Sequence, residues 1–170
     1  TYTVYLRYEN PAFADTVVAN SIIRANSRDG LTIVDAANYI TPGVRENAPY
    51  SIVIESSQPL GATLAHYDFG SAIGDAFTER VSAEWSFARV ERRPGDAADF
   101  IVFHNPNPFA VSVTITAYQA SGTPVSLTRE FGANRRGGFS INDIAEFPTG
   151  VFSVILTSQA ANVANQLAFS

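Results

Sequence analysis

The sequence predicts an all-β protein made of two antiparallel β-sandwiches in tandem. Three observations predict it. No stretch of helical length carries an apolar stripe at the 3.6-residue period. Short alternating runs are instead separated by turn residues roughly every 8–12 positions. The chain also states one pattern twice, as Tyr5-Leu6-Arg7-Tyr8-Glu9-Asn10-Pro11 and as Ile101-Val102-Phe103-His104-Asn105-Pro106-Asn107-Pro108. Each passage leads into an alternating run, a turn with an Arg, an Ile-x-Asp, a Pro and a Gly, and a last run ending in Ser-Gln.

In the first copy, Tyr2, Val4, Leu6 and Tyr8 alternate with Thr3, Tyr5 and Arg7, the period of a half-buried strand. Asn10-Pro11 ends it, because Pro brings no amide donor to a ladder. Asp15 to Arg24 is a second β-rich run, Ala25 to Gly30 a turn by composition, and Leu31 to Val34 a third run. Asp35 to Ile40 reads as one helical turn with Asp35 as its N-cap, stopped by Pro42-Gly43. Tyr50 to Glu55 and Leu60 to Tyr67 complete the unit.

The second copy opens with Trp85 to Val90, an alternating run for which the first copy has no counterpart. Phe100 to His104 follows, then Val111, Val113, Ile115 and Ala117 alternating with Ser112, Thr114, Thr116 and Tyr118. Ser121-Gly122-Thr123-Pro124 is a hairpin turn, and Val125 to Phe131 returns from it. Ala133-Asn134-Arg135-Arg136 matches Ala25-Asn26-Ser27-Arg28, and Ile141-Asn142-Asp143 matches Ile33-Val34-Asp35, with Asp143 again an N-cap. Domain bounds follow as residues 1–70, a linker at 71–84, and residues 85–170.

Composition narrows the function. The apolar share of 46% and the charged share of 16% suit a packed core. A net charge of −5 argues against nucleic acid, whose phosphates call for a basic stripe, and against docking on an anionic membrane. No apolar run approaches the ~20 residues that span a bilayer. Cys, Met and Lys are all absent, and the eleven cations are Arg. Without Cys there is no disulfide, thiolate nucleophile or zinc–thiolate site. A Cys-free composition is common in exported bacterial proteins, and the missing first Met suggests a processed piece.

The Asn-Pro-Asn element, the Val111-x-Val113-x-Ile115 strand, the small-residue turn with Arg, the Ile141-Asn142-Asp143 element and the closing strand before Ser158 together resemble Ig-like β-sandwich repeats of secreted and surface-anchored bacterial proteins. The resemblance covers nearly the whole chain. It implies two Ig-like sandwiches and a role as spacer, stalk or assembly module. The first copy departs from the pattern at Asn10-Pro11-Ala12, which lacks the second Asn, and in its missing first strand.

Each candidate for chemistry has a plainer rival. His66 and His104 are the two imidazoles, and no Gly-x-Ser-x-Gly elbow accompanies them. His66 with Asp68, or Asp96, Asp99, Asn105 and Asn107, offer ligands for a hard cation, but such residues more often bond their own turns. Arg135-Arg136-Gly137-Gly138 reads as a solvated tip turn before it reads as a phosphate cradle. Tyr67, Phe69, Phe77, Trp85 and Phe87 cluster around the linker; in a small sandwich such rings more often fill the core or seal the junction between modules as an assembly interface, and if coplanar and exposed they would form a sugar platform.

The expectation is a non-catalytic extracellular or cell-surface module of a stalk, filament or surface layer, without a cofactor or metal. It would work through neighbouring repeats or self-association. A missing first strand in the first copy would leave a sheet edge open to β-augmentation, with the Trp85 segment as one donor. The alternative is a carbohydrate- or calcium-binding adhesin module.

Overall fold

The computed structural model describes residues 1–33, 44–45, 47–68, 71–95 and 99–159. Those residues are all-β, and every strand pairing among them is antiparallel. The chain divides into two compact units, Thr1–Phe77 and Thr78–Ser170.

The first unit is built around β1 (Tyr2–Tyr8), which lies between β2 (Thr16–Ser21) and β3 (Tyr50–Ser56). The alternation in its sequence becomes the alternation of its faces. Tyr2, Val4, Leu6 and Tyr8 are buried, while Thr3, Tyr5 and Arg7 are half-buried on the other side. Burying apolar side chains of this size contributes roughly 1.5–3 kcal/mol each. Between β1 and β2 the register slips, from Val4 opposite Ala19 to Tyr5 opposite Val17, so Val18 is the extra residue of a β-bulge. The β1–β3 ladder runs without a break from Tyr2 opposite Ser56 to Tyr8 opposite Tyr50. Arg7 crosses the half-buried face, with its guanidinium 3.1 Å from Glu55 and 3.5 Å from Asp15. A hairpin of β4 (Thr63–Asp68) and β5 (Ser71–Ala76) follows.

The second unit is a sandwich. One sheet has the order β6 (Glu84–Arg92), β11 (Gly150–Gln159), β8 (Val111–Tyr118), β9 (Val125–Phe131); the other pairs β10 (Arg135–Ser140) with β7 (Phe100–Asn105). Counted within the unit, the second strand pairs with the fifth and the third with the sixth. That is the core pairing of an Ig-like sandwich. The first strand, β6, lies beside the sixth, at the edge where an Ig domain keeps its seventh. Both sheets feed one core: Ile101, Phe103 and Phe139 from one, and Val90, Val111, Val113, Ile115, Ala117, Phe152, Val154 and Leu156 from the other. Ile141, Ile144 and Phe147 join it from the segment between β10 and β11.

Several expectations need correction. Residues 71–84 are not simply a linker, because Ser71–Ala76 is β5, held to β4 by a full ladder that its own weak apolar pattern does not announce. Leu31 to Ile33 form no strand, and Val34 lies outside the described residues. The Asp35 cap and its helical turn lie outside them as well. Asp143 does not cap a turn but sits inside a 3-10 turn, Ile141–Asp143, whose N-cap position is Ser140. Arg135 to Gly138 are not a tip turn. They are strand residues, and the turn is Gly132-Ala133-Asn134 before them, with Asn134 at a φ of 49°.

Gly137 and Gly138 occupy a strand because β10 crosses over other groups too closely for a side chain. A Cβ on Gly137 would stand 2.7 Å from the Phe131 ring and 2.8 Å from the Phe103 ring. One on Gly138 would stand 2.9 Å from the Ile101 carbonyl oxygen, which is backbone and cannot swing aside. Gly138→Ala is therefore expected to destabilise the second unit by about 1–3 kcal/mol, the usual cost of overpacking. Urea unfolding followed by the emission of Trp85, the single Trp, measures it.

Segments matched in the sequence share local devices. The side-chain oxygens of Asn10 and Asn105 each accept the amide two residues on, from Ala12 at 2.9 Å and Asn107 at 3.0 Å. Asn26 and Asn134 both adopt left-handed φ values, 55° and 49°. Their strands are paired differently: β1 pairs with both β2 and β3, whereas β7 pairs with β10, and β8 with β11 and β9.

Candidate functional site

The polar residues that looked most like ligands are turned toward the backbone. Asn105 closes β7 and is fully buried. Its Nδ2 donates to the carbonyls of Phe109 at 3.0 Å and Gly132 at 2.9 Å. Its Oδ1 accepts from the backbone N–H of Asn107 at 3.0 Å and from the Asn107 Nδ2 at 2.7 Å. The Asn134 N–H donates to the Asn107 carbonyl at 2.9 Å. One amide thus uses two donors and two acceptor sites to lock the β7–β8 loop to the β9–β10 loop.

The other end of the sandwich has a matching clamp. The Arg93 N–H donates to Asn142 Oδ1 at 2.8 Å, and Asn142 Nδ2 donates back to the Arg93 carbonyl at 2.9 Å. Asp99 Oδ2 accepts the Glu91 N–H at 2.7 Å, and the Asp99 carbonyl accepts the Ile141 N–H at 2.9 Å. The Glu91 carboxylate takes Arg93 at 2.6 Å and Arg89 at 3.1 Å. The hydrogen bond from Arg93, aided by the two Arg charges, holds Glu91 below its ordinary pKa. Of the proposed cation ligands, Asp96 and the Asp68 side chain lie outside the described residues. Among the described residues no three His, Cys, Asp or Glu converge on one point. His66 lies exposed on β4, and His104 half-buried on β7 opposite Arg136.

The five aromatic candidates fall in different places. Trp85 and Phe87 lie on β6, opposite Leu156 and Val154 of β11, and pack partly buried against the core of the second unit. The strand that carries them is paired along one edge within its own unit, to β11. Phe77 follows β5, half-buried, and its N–H donates to the Ala62 carbonyl at 3.1 Å. Tyr67 belongs to β4, opposite Ala72, with its side chain outside the described residues; Phe69 is outside them entirely.

Sequence reasoning passed over the outer edge of β3. This strand is seven residues long, unbroken and free of Pro and Gly: Tyr-Ser-Ile-Val-Ile-Glu-Ser. No described strand pairs with it on the side away from β1. The signal was present in Ile52-Val53-Ile54, a β-branched run whose single neighbouring charge is Glu55.

The chain matches no protein-family model and no curated protein. Among solved structures it is similar to the Anabaena sensory rhodopsin transducer, at 21% identity over 52% of this chain and 82% of that one, with a TM-score of 0.44. A likeness of that degree carries no argument, and the fold rests on the strand pairings above.

Two predictions follow from the polar contacts. Asn105→Ala removes all four of these hydrogen bonds from a fully buried position, and is expected to cost about 2–4 kcal/mol in unfolding of the second unit, read by Trp85 emission. In the first unit, the Tyr2 hydroxyl donates to Asp29 Oδ2 at 2.6 Å. That bond raises the Tyr2 pKa, with burial adding to it, and it lowers the Asp29 pKa, with the Gly30 amide helping. A depressed carboxylate contributes stability that is lost as pH falls through its folded value; a raised phenol contributes stability that is lost as pH rises through its own. The bond therefore acts across the neutral range. Tyr2→Phe is expected to speed amide hydrogen exchange in β1 and β2 at about pH 7, and the difference from wild type is expected to shrink in acid as Asp29 protonates.

Proposed function

We propose that the chain is a non-catalytic structural module of the cell exterior, part of a stalk, filament or surface layer, acting through domain–domain or strand-mediated assembly. The observation that carries this reading is the regular outer edge of β3. An edge of this kind presents backbone donors and acceptors to another strand, the geometry that β-augmentation uses. The commitment of Asn105, Asn142 and Asp99 to backbone groups supports the same reading, since those side chains hold shape. The extracellular setting rests on the Cys-free composition and on the repeat's resemblance to surface proteins.

A second reading, a glycan-binding module, has one observation in its favour. The outer face of β8 carries Ser112, Thr114, Thr116 and Tyr118, uncharged, with Thr114 bonded to Thr128 at 3.1 Å and Thr116 to Ser126 at 2.9 Å. Such a face presents hydroxyls beside one ring.

Light scattering and electron microscopy over a rising concentration series are expected to show ordered self-association. A glycan array and calcium calorimetry are expected to stay silent. Monodisperse monomers at the highest concentration would refute the structural reading; specific glycan capture without assembly would install the second.

A further inference from the structure

We infer that β3 pairs antiparallel with β3 of a second copy of this chain, about a twofold axis at Val53. The inference rests on the assembly reading above and names its contact and its partner.

The backbone groups of β3 point alternately toward β1 and away from it. On the β1–β3 ladder, hydrogen bonds join the Glu9 N–H to the Pro49 carbonyl at 2.9 Å and the Ser57 N–H to the Thr1 carbonyl at 3.0 Å. Bonded pairs alternate along an antiparallel ladder. Ser51, Val53 and Glu55 therefore direct their amides and carbonyls at β1, and Ile52 and Ile54 direct theirs outward. No described strand meets them there. A strand laid antiparallel along that edge bonds at Ile52 and Ile54 and leaves Val53 as the closely approaching, non-bonded position.

The strand is complementary to itself in that arrangement. With Val53 on the axis, all seven residues find a counterpart. Ile52 stands opposite Ile54 of the second copy, in the row that continues the buried face of Val4 and Leu6, their partners across β1. Val53 faces Val53. Glu55, the one charge on the strand, faces the Ser51 hydroxyl and not another Glu55. No like charges oppose each other, so a second copy meets no charge repulsion along this strand, whereas an acidic partner would set a carboxylate against Glu55. The contact is isologous, the commonest way for two identical chains to associate.

The two edges of this sheet are also unequal. Sheet edges are commonly guarded by bulges, prolines or inward charges. On β2 the bulge at Val18 breaks the register. On β3 the ladder is regular, and its centre is Ile-Val-Ile. One edge is blunted and the other is left flat.

The absence of Cys makes the test direct, because an introduced thiol is the only one in the chain. Val53→Cys places two thiols across the axis at about 4.5 Å between Cα atoms, within the range a disulfide spans. Val17→Cys, on the exposed face of the β2 edge, is the control. Under mild oxidation of the full chain, Val53→Cys is expected to form a covalent dimer at least about 10-fold faster than Val17→Cys, since only the former holds its thiols in bonding range. Val53→Arg, which sets two cations face to face, is expected to shift wild-type dimers to monomers in sedimentation equilibrium, with circular dichroism reporting that the fold is retained. Equal cross-linking at both positions, or assembly that persists in Val53→Arg, would overturn the β3 contact and leave the assembly reading standing. A wild-type chain that stays monomeric throughout would sink both.

Discussion

The second unit depends on a single buried amide. A sandwich whose successive strands cross between sheets has to carry loops over its ends, and those loops bring backbone groups into places water does not reach. Asn105 answers this at one end. It lies at zero exposure, offers two donors and one doubly accepting oxygen, and uses all four. Few other side chains have that inventory. A Gln would carry the same groups one methylene too far, and an Asp would set an oxygen against two carbonyls. The Pro residues around it serve the same end, since each removes an amide that the crowded loop would otherwise have to satisfy. Asn142 does the equivalent work at the opposite end, with its amide standing in for one rung of a ladder beside Arg93.

The first unit solves the same problem with phenols. Tyr8 is buried against the rings of Phe13 at 5.8 Å and Tyr50 at 6.0 Å, and its hydroxyl accepts the Arg45 N–H at 3.1 Å. Tyr2 reaches Asp29 with its hydroxyl as the donor. Each ring supplies apolar area to the core and a polar tip to a loop. The loops are thereby attached to the two ends of β1, so the strand that fills the buried face also organises what covers it.

Much of this was legible, and the limits have physical causes. Strands that are half-buried and rich in β-branched residues stood out, and β8, β9 and β6 lie where alternation placed them. The turn role of Asn105 was legible too, because an Asn before Pro has few other local options. β5 and β10 were not. Ser-Ala-Ile-Gly-Asp-Ala has almost no apolar period of its own, and β5 exists through its ladder with β4. Arg-Arg-Gly-Gly has the composition of a turn. Only the proximity of Phe103, Phe131 and the Ile101 carbonyl explains why a strand there excludes side chains, and such proximity is a tertiary fact. Trp85 and Phe87 illustrate the same limit. Aromatics at even spacing suit a core strand and an exposed platform equally, and it is the position of β6 beside β11 that turns them inward.

These features together bear on what the molecule has left to offer. A side chain that serves chemistry needs some of its bonding capacity free to meet a ligand. Asn105, Asn142 and Asp99 bond backbone groups, and Glu91 holds the guanidinium groups of Arg89 and of Arg93 just past its strand. The outward amides and carbonyls of Ile52 and Ile54 are main-chain groups that no described strand meets; other sheet edges are open as well, and this one has a regular ladder and an Ile-Val-Ile centre. Main-chain groups do not distinguish substrates, but they recognise another extended strand in any sequence that keeps their spacing. Specificity must then come from the side chains beside them, and on β3 those are Ile, Val and Ile flanked by one Ser and one Glu. A strand of that composition is best matched by another like it, running the opposite way.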